Sequence, residues 1–178
     1  MALKATIFKA DLQISDINRN HYQQYLLTLA RHPSETDERM MIRLLAFALN
    51  ADERLAFTKG LSTDDEPDLW KKSLSDEIEL WIELGQPDEK RIRRACGRAK
   101  EVIVYPYSER SSIIWWQQFG ADFNRFNNLS VVKLMSTDGV PIDNLSQRNM
   151  NLTCTVQDNQ IWLSDSEHNV TILTERLY

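Results

Sequence analysis

The stretch Ile78-Glu79-Leu80-Trp81-Ile82-Glu83-Leu84 alternates apolar and acidic residues and stops at Gly85, which predicts a strand. Beyond it, Pro87-Asp88 opens a helix that places Ile92, Ala95, Cys96 and Ala99 on one apolar stripe. Val102-Ile103-Val104-Tyr105 then follows as a continuously apolar run, the pattern of a buried strand. Strand, helix and strand in succession restrict the chain to a mixed α/β class.

The flanking segments extend this pattern. Leu3, Ala5, Ile7, Leu12 and Ile14 alternate with polar residues and predict a first strand, followed by a polar turn at Asp16–Asn20. Tyr22–Ala30 reads either as a helix or as a hairpin partner of that strand, since Leu27 and Leu29 flank Thr28 and Pro33 stops the run. Ser34 with Asp37 three residues on predicts a capping box, and Met41, Leu44, Leu45 and Ala48 give a buried helix face ending near Asn50. Short strands are expected at Arg54–Phe57 and Leu69-Trp70, with a turn at Lys59-Gly60. Ser108 caps a third helix carrying Ile113, Trp116 and Phe119, with Phe123 or Phe126 beyond Gly120. A strand at Leu129–Met135 and a turn at Asp138-Gly139 precede an all-β tail: Met150–Val156, Ile161–Leu163 and a last strand with Val170 and Ile172. No repeat, linker or low-complexity segment interrupts the chain, so 1–178 reads as a single domain.

Composition excludes several classes. The chain is 42% hydrophobic and 26% charged, as in an ordinary globular protein. No run approaches the roughly 20 apolar residues that span a bilayer, and the N-terminal residues do not form a secretory signal. Cys96 and Cys154 lack metal or redox spacing and read as reduced thiols in a cytoplasmic protein. His21, His32 and His168 are scattered, which argues against zinc. A net charge of −5 excludes a polycation, although Lys90–Lys100 is strongly basic and Asp64-Asp65-Glu66-Pro67-Asp68 strongly acidic. No phosphate loop or nucleophile elbow is present, so nucleotide hydrolysis and acyl transfer have no local support.

The acids carry the chemistry. A tight turn centred on Ser75-Asp76 would pair residues so that Asp68 faces Glu83, Trp70 faces Trp81 and Lys72 faces Glu79. Two opposed carboxylates repel unless a proton or a divalent cation lies between them. Mg²⁺ or Mn²⁺ suits such a pair, because hard ions take carboxylate, water and phosphate oxygens. The same pair also reads as a solvated acidic edge. Glu38, ahead of Met41 and Ile42, is expected to point towards the core as a third acid, whereas Glu35 and Asp37 read as acids favouring the helix dipole. Lys90, Arg91 and Arg94 cluster away from the apolar stripe, either as a phosphate-binding face for DNA or RNA or as a solvated helix face.

These residues, with Met1–Ile7, Leu27–Thr36, Asp37–Met41, Asp65–Asp68, Trp81–Gly85, Pro87–Glu89, Trp115–Gln118 and Ile161–Asp165, resemble the YaeQ family along nearly the whole chain. The resemblance implies a variant PD-(D/E)XK, restriction-endonuclease-like fold. That fold is a mixed central sheet flanked by helices, with a nuclease-like core at about 34–135 and extra N-terminal and C-terminal strands. Matched by motif, Asp68 is the aspartate of the PD element, Glu83 the acid of the (D/E)XK element and Glu38 the helix-borne glutamate. The usual lysine is replaced by Gly85, which leaves Gln86 or Lys90 to orient the attacking water. The implied activity is metal-dependent cleavage of nucleic-acid phosphodiesters at Glu38, Asp68, Glu83, Gln86 and Lys90. Its rival is a non-catalytic module that keeps the fold to bind nucleic acid or a protein partner.

Overall fold

The computed structural model describes residues 4–59, 61 and 63–178. The expected contribution of Leu3 to the first strand, and Gly60 of the Lys59-Gly60 turn, lie outside the described residues. In chain order the elements are β1 (Thr6–Asp16), β2 (His21–Arg31), α1 (Asp37–Leu49), β3 (Leu55–Phe57), β4 (Leu69–Lys72) and β5 (Ile78–Leu84). They continue with α2 (Glu89–Arg98), β6 (Ala99–Tyr105), α3 (Glu109–Phe119), β7 (Leu129–Ser136), β8 (Asn149–Gln157), β9 (Gln160–Ser164) and β10 (Asn169–Arg176). The class is mixed α/β, as the sequence predicts. Among the described residues no helix is long and apolar enough to cross a membrane. The chain forms two compact units.

One unit takes the residues up to Leu49 together with Ser136–Thr174, with strands in the order β2-β1-β8-β9-β10. β1 and β2 form an antiparallel hairpin from Thr6 opposite Arg31 to Asp16 opposite His21, so Tyr22–Ala30 is a strand. β8 lies parallel to β1, and β9 and β10 return antiparallel. The buried face of β1 is Phe8, Ala10, Leu12 and Ile14, while Ile7, expected on that face, is 48% exposed. α1 is buried continuously from Met40 to Ala48. Its cap differs from the expected Ser34 box. Thr36 Oγ1 accepts from Arg39 N at 3.1 Å, whereas Ser34 is tied to His32 Nδ1. The acid buried ahead of the helix is Glu35, not Glu38. Both Glu35 oxygens take Arg43 nitrogens at 2.8 Å, and Arg39 adds a third contact at 3.1 Å. Burying that carboxylate requires such full pairing.

The other unit comprises Asn50–Met135 and Glu175–Tyr178, with strands in the order β7-β6-β5-β4-β3. β5, β6 and β7 run parallel, and β4 and β3 continue antiparallel. Trp81, Val102, Val104, Leu129 and Val131 share a buried cluster with Ile92 and Ala95 of α2 and Trp115 of α3. Trp116 and Phe119 of the expected α3 stripe pack half-buried against this cluster, with Ser112 and Trp115 buried beside them, whereas Ile113 is 46% exposed. Phe123, in the 3-10 turn Gly120–Arg125, supplies the aromatic that closes the cluster. Ser108 stands at the N-cap position of α3 without a side-chain capping bond.

Candidate functional site

The β4–β5 hairpin sets the site. Leu69 faces Ile82, Trp70 faces Trp81 and Lys71 faces Leu80, which is the expected register. Nearer the turn the pairing shifts, and Lys72 faces Ile78 rather than Glu79. The turn is also longer than a two-residue one. Ser73 N bonds Glu77 O at 2.8 Å, Asp76 N bonds Ser73 O at 3.0 Å, and Asp76 has φ 67°. The extra loop residue and the bulge at Glu79 compensate, so the register farther along the hairpin is the same.

Asp68 and Glu83 therefore lie at the open end of the hairpin, each 3% exposed. Asp68 N donates to Ile82 O at 3.0 Å, and its carboxylate Oδ2 accepts from Leu84 N at 2.9 Å. Glu83 Oε1 accepts from Trp81 Nε1 at 2.8 Å and from Arg91 Nε at 2.9 Å. Burial pushes the Glu83 carboxyl above the ordinary carboxylate range, and the Asp68 charge adds to the rise. The Arg91 and Trp81 hydrogen bonds oppose it without overcoming it.

Helix α2 covers this end with arginines. Its N-cap is Asp88, whose carboxylate accepts from Arg91 N at 2.7 Å and fixes the start of the helix. Besides Glu83, the Arg91 guanidinium donates through Nη2 to Glu66 O at 2.8 Å and through Nη1 to Asp64 O at 3.3 Å. Arg94 Nη1 reaches Asp64 O at 3.2 Å and Asp65 Oδ1 at 3.3 Å. Arg98 Nη1 reaches Asp65 O at 2.8 Å, and its guanidinium lies over the Trp81 ring. The spacing i, i+3, i+7 aligns all three on one helix face. The basic face and the acidic segment found in the sequence are thus partners.

Gly85 has φ 84°, a left-handed conformation that disfavours a side chain with a Cβ. Gln86 is exposed, with Nε2 donating to Ser111 Oγ at 2.8 Å and more loosely to Ser112 Oγ at 3.4 Å. Lys90 is exposed on α2. Glu38 belongs to the other unit, in the first turn of α1, and is exposed rather than turned to a core. Its expected inward direction is corrected because burial of α1 begins only at Met40, beyond that turn.

Carboxylates are the donor type that Mg²⁺ takes, and here Asp68 Oδ2 and Glu83 Oε1 already accept from Leu84 N, Trp81 Nε1 and Arg91 Nε. Among the described residues no group of three or more His, Cys, Asp or Glu is placed to hold a metal ion. Lys133, a charged residue inside the apolar run of β7, is 5% exposed.

Fold and site together define a mixed α/β chain with a buried carboxylate pair on a hairpin beside a parallel strand set. The YaeQ family model, described as "YaeQ protein", matches residues 1–174, and the chain belongs to that family. The uncharacterized protein YaeQ of Escherichia coli (strain K12) is 50% identical over 172 residues, covering 97% of this chain and 95% of that protein. The Salmonella typhi protein of the same name matches equally. The crystal structure of YaeQ protein from Xanthomonas axonopodis pv. citri superposes with a TM-score of 0.93 at 45% identity, covering 97% of each chain. That of YaeQ protein from Pseudomonas syringae gives 0.90 at 31% identity, covering 98% of this chain and 96% of that one.

Proposed function

We propose that the Asp68–Glu83 hairpin is a variant PD-(D/E)XK, restriction-endonuclease-like site that binds Mg²⁺ or Mn²⁺ and acts on phosphodiesters of DNA or RNA. The observation that carries this reading is the burial of both carboxylates at one end of the hairpin, close enough for Asp68 to raise the Glu83 carboxyl. Asp68 and Glu83 would hold the cation. An ion so held supplies polarisation of a phosphoryl oxygen and activation of water. Gln86, just before the following helix, and Lys90, in its first turn, would be the candidates for orienting water or phosphate in place of the usual lysine. Arg91 and Arg94 supply positive charge beside it. The cytoplasm is the compartment proposed for such a chain, consistent with its two free thiols.

The second reading is a non-catalytic binding module. It is favoured by the Arg91 guanidinium, which pairs with Glu83 at 2.9 Å. Cleavage assays on linear, supercoiled and single-stranded substrates separate the two. The site reading predicts Mn²⁺-dependent cleavage by the native chain that is lost in an Asp68→Asn/Glu83→Gln variant purified identically. Equal cleavage by the variant would identify a contaminant, and no cleavage by either would favour the binding module.

A further inference from the structure

The Arg91 guanidinium does two jobs at once. Its Nε neutralises Glu83 at 2.9 Å, while its terminal nitrogens hold the backbone of the 64–66 loop through Glu66 O at 2.8 Å and Asp64 O at 3.3 Å. Its backbone is anchored by the Asp88 cap, and its side chain is 25% exposed. A divalent cation on Glu83 would sit within a few ångströms of that guanidinium, where like charges repel strongly in a poorly solvated site.

We propose that Arg91 is an exchangeable counter-cation: it occupies Glu83 when no metal is bound, yields it to a divalent cation, and in leaving loosens the Asp64–Glu66 loop. This rests on the reading of Asp68 and Glu83 as a cation site. Cation binding and release of the loop are then linked, and linkage is reciprocal. Arg94 and Arg98 retain their own bonds to Asp64 and Asp65, so the loop loosens at Glu66 first. Arg91 acts here as a positioning residue, setting cation affinity through Glu83.

The test is Mn²⁺ titration of the full chain by electron paramagnetic resonance, with hydrogen exchange of the wild type with and without Mn²⁺. Arg91→Gln should bind Mn²⁺ about tenfold more tightly than wild type, within the ordinary range of coupling. Glu83→Gln should abolish binding, and saturating Mn²⁺ should speed exchange at residues 64–66 of the wild type. Wild-type binding with no tightening in Arg91→Gln would overturn the exchange and leave the cation site standing. Binding by neither protein would remove both. Should Arg91→Gln fail to fold, unchanged exchange at 64–66 in Mn²⁺-saturated wild type would overturn the proposal by itself.

Discussion

At the scale of single residues, Gly85 and Glu83 carry the most specific consequences. A Cβ at Gly85 would meet nothing nearer than Tyr107 Cε1 at 3.9 Å, so a substitution there is limited by the backbone and not by space. Gly85→Ala should lose about 1–2 kcal/mol of stability, the cost of an L-residue in a left-handed conformation. Urea unfolding measures it, and Gly85→Asn should lose less, because asparagine tolerates that region. Gly85→Lys should likewise destabilise the hairpin end. Glu83 gives a pH signature. Its carboxyl is raised in the folded chain, so folding favours the protonated form, and that contribution is full below the ordinary glutamate value and lost as pH rises through the raised one. Glu83→Gln should remove this loss. The stability of the variant relative to wild type should therefore increase with pH across the acidic range, as denaturant midpoints at several pH values would show. Asp68 and Glu83 were legible as neighbours because alternation fixes which residues share a face. Glu38 was misread because the direction of a side chain in a first helical turn depends on where the helix starts, and the cap is Thr36 rather than Ser34.

At the scale of elements, α1 shows how a charged residue enters a core. Arg43 is 2% exposed and holds Glu35, itself 6% exposed, together with Ala30 O at 3.0 Å. Arg43→Met would leave that carboxylate with Arg39 as its main partner. A loss approaching 3 kcal/mol is expected, the low end for breaking a buried pair, and thermal unfolding measures it. Helices and strands themselves were largely legible. Periodicity predicts α2 and β5 closely, since Ile92 and Ala95 repeat at helical spacing and Ile78–Leu84 alternates. On α3, Trp116 and Phe119 pack against the cluster as expected, but periodicity cannot say which of the adjacent Trp115 and Trp116 is buried more deeply. The structure buries Trp115, whose Nε1 donates to Pro87 O at 2.9 Å.

At the scale of the whole molecule, the pairings that join distant segments could not be read from sequence. β1 pairs in parallel with β8, from Lys9 opposite Asn149 to Asp16 opposite Val156. Alternation announces each strand and its buried face, but it carries no label for a partner far along the chain. The thiols give a prediction at this scale. Burial pushes Cys154 up to about 12 and Cys96 up to about 11. At neutral pH a thiol reagent should therefore label the folded chain far more slowly than the urea-unfolded one, because the thiolate is the reactive form. The raised thiols also favour folding below the usual thiol value and lose that contribution as pH climbs through 11 to 12. Alkaline unfolding should follow, monitored by circular dichroism.

The reading of the hairpin as a divalent-cation site is tested most directly by titration calorimetry of Mn²⁺ into the wild type and into an Asp68→Asn/Glu83→Gln variant. Binding by the wild type at millimolar concentration, lost in a variant that remains folded, is the predicted result. Absence of binding in the wild type, or equal binding by the variant, would contradict it.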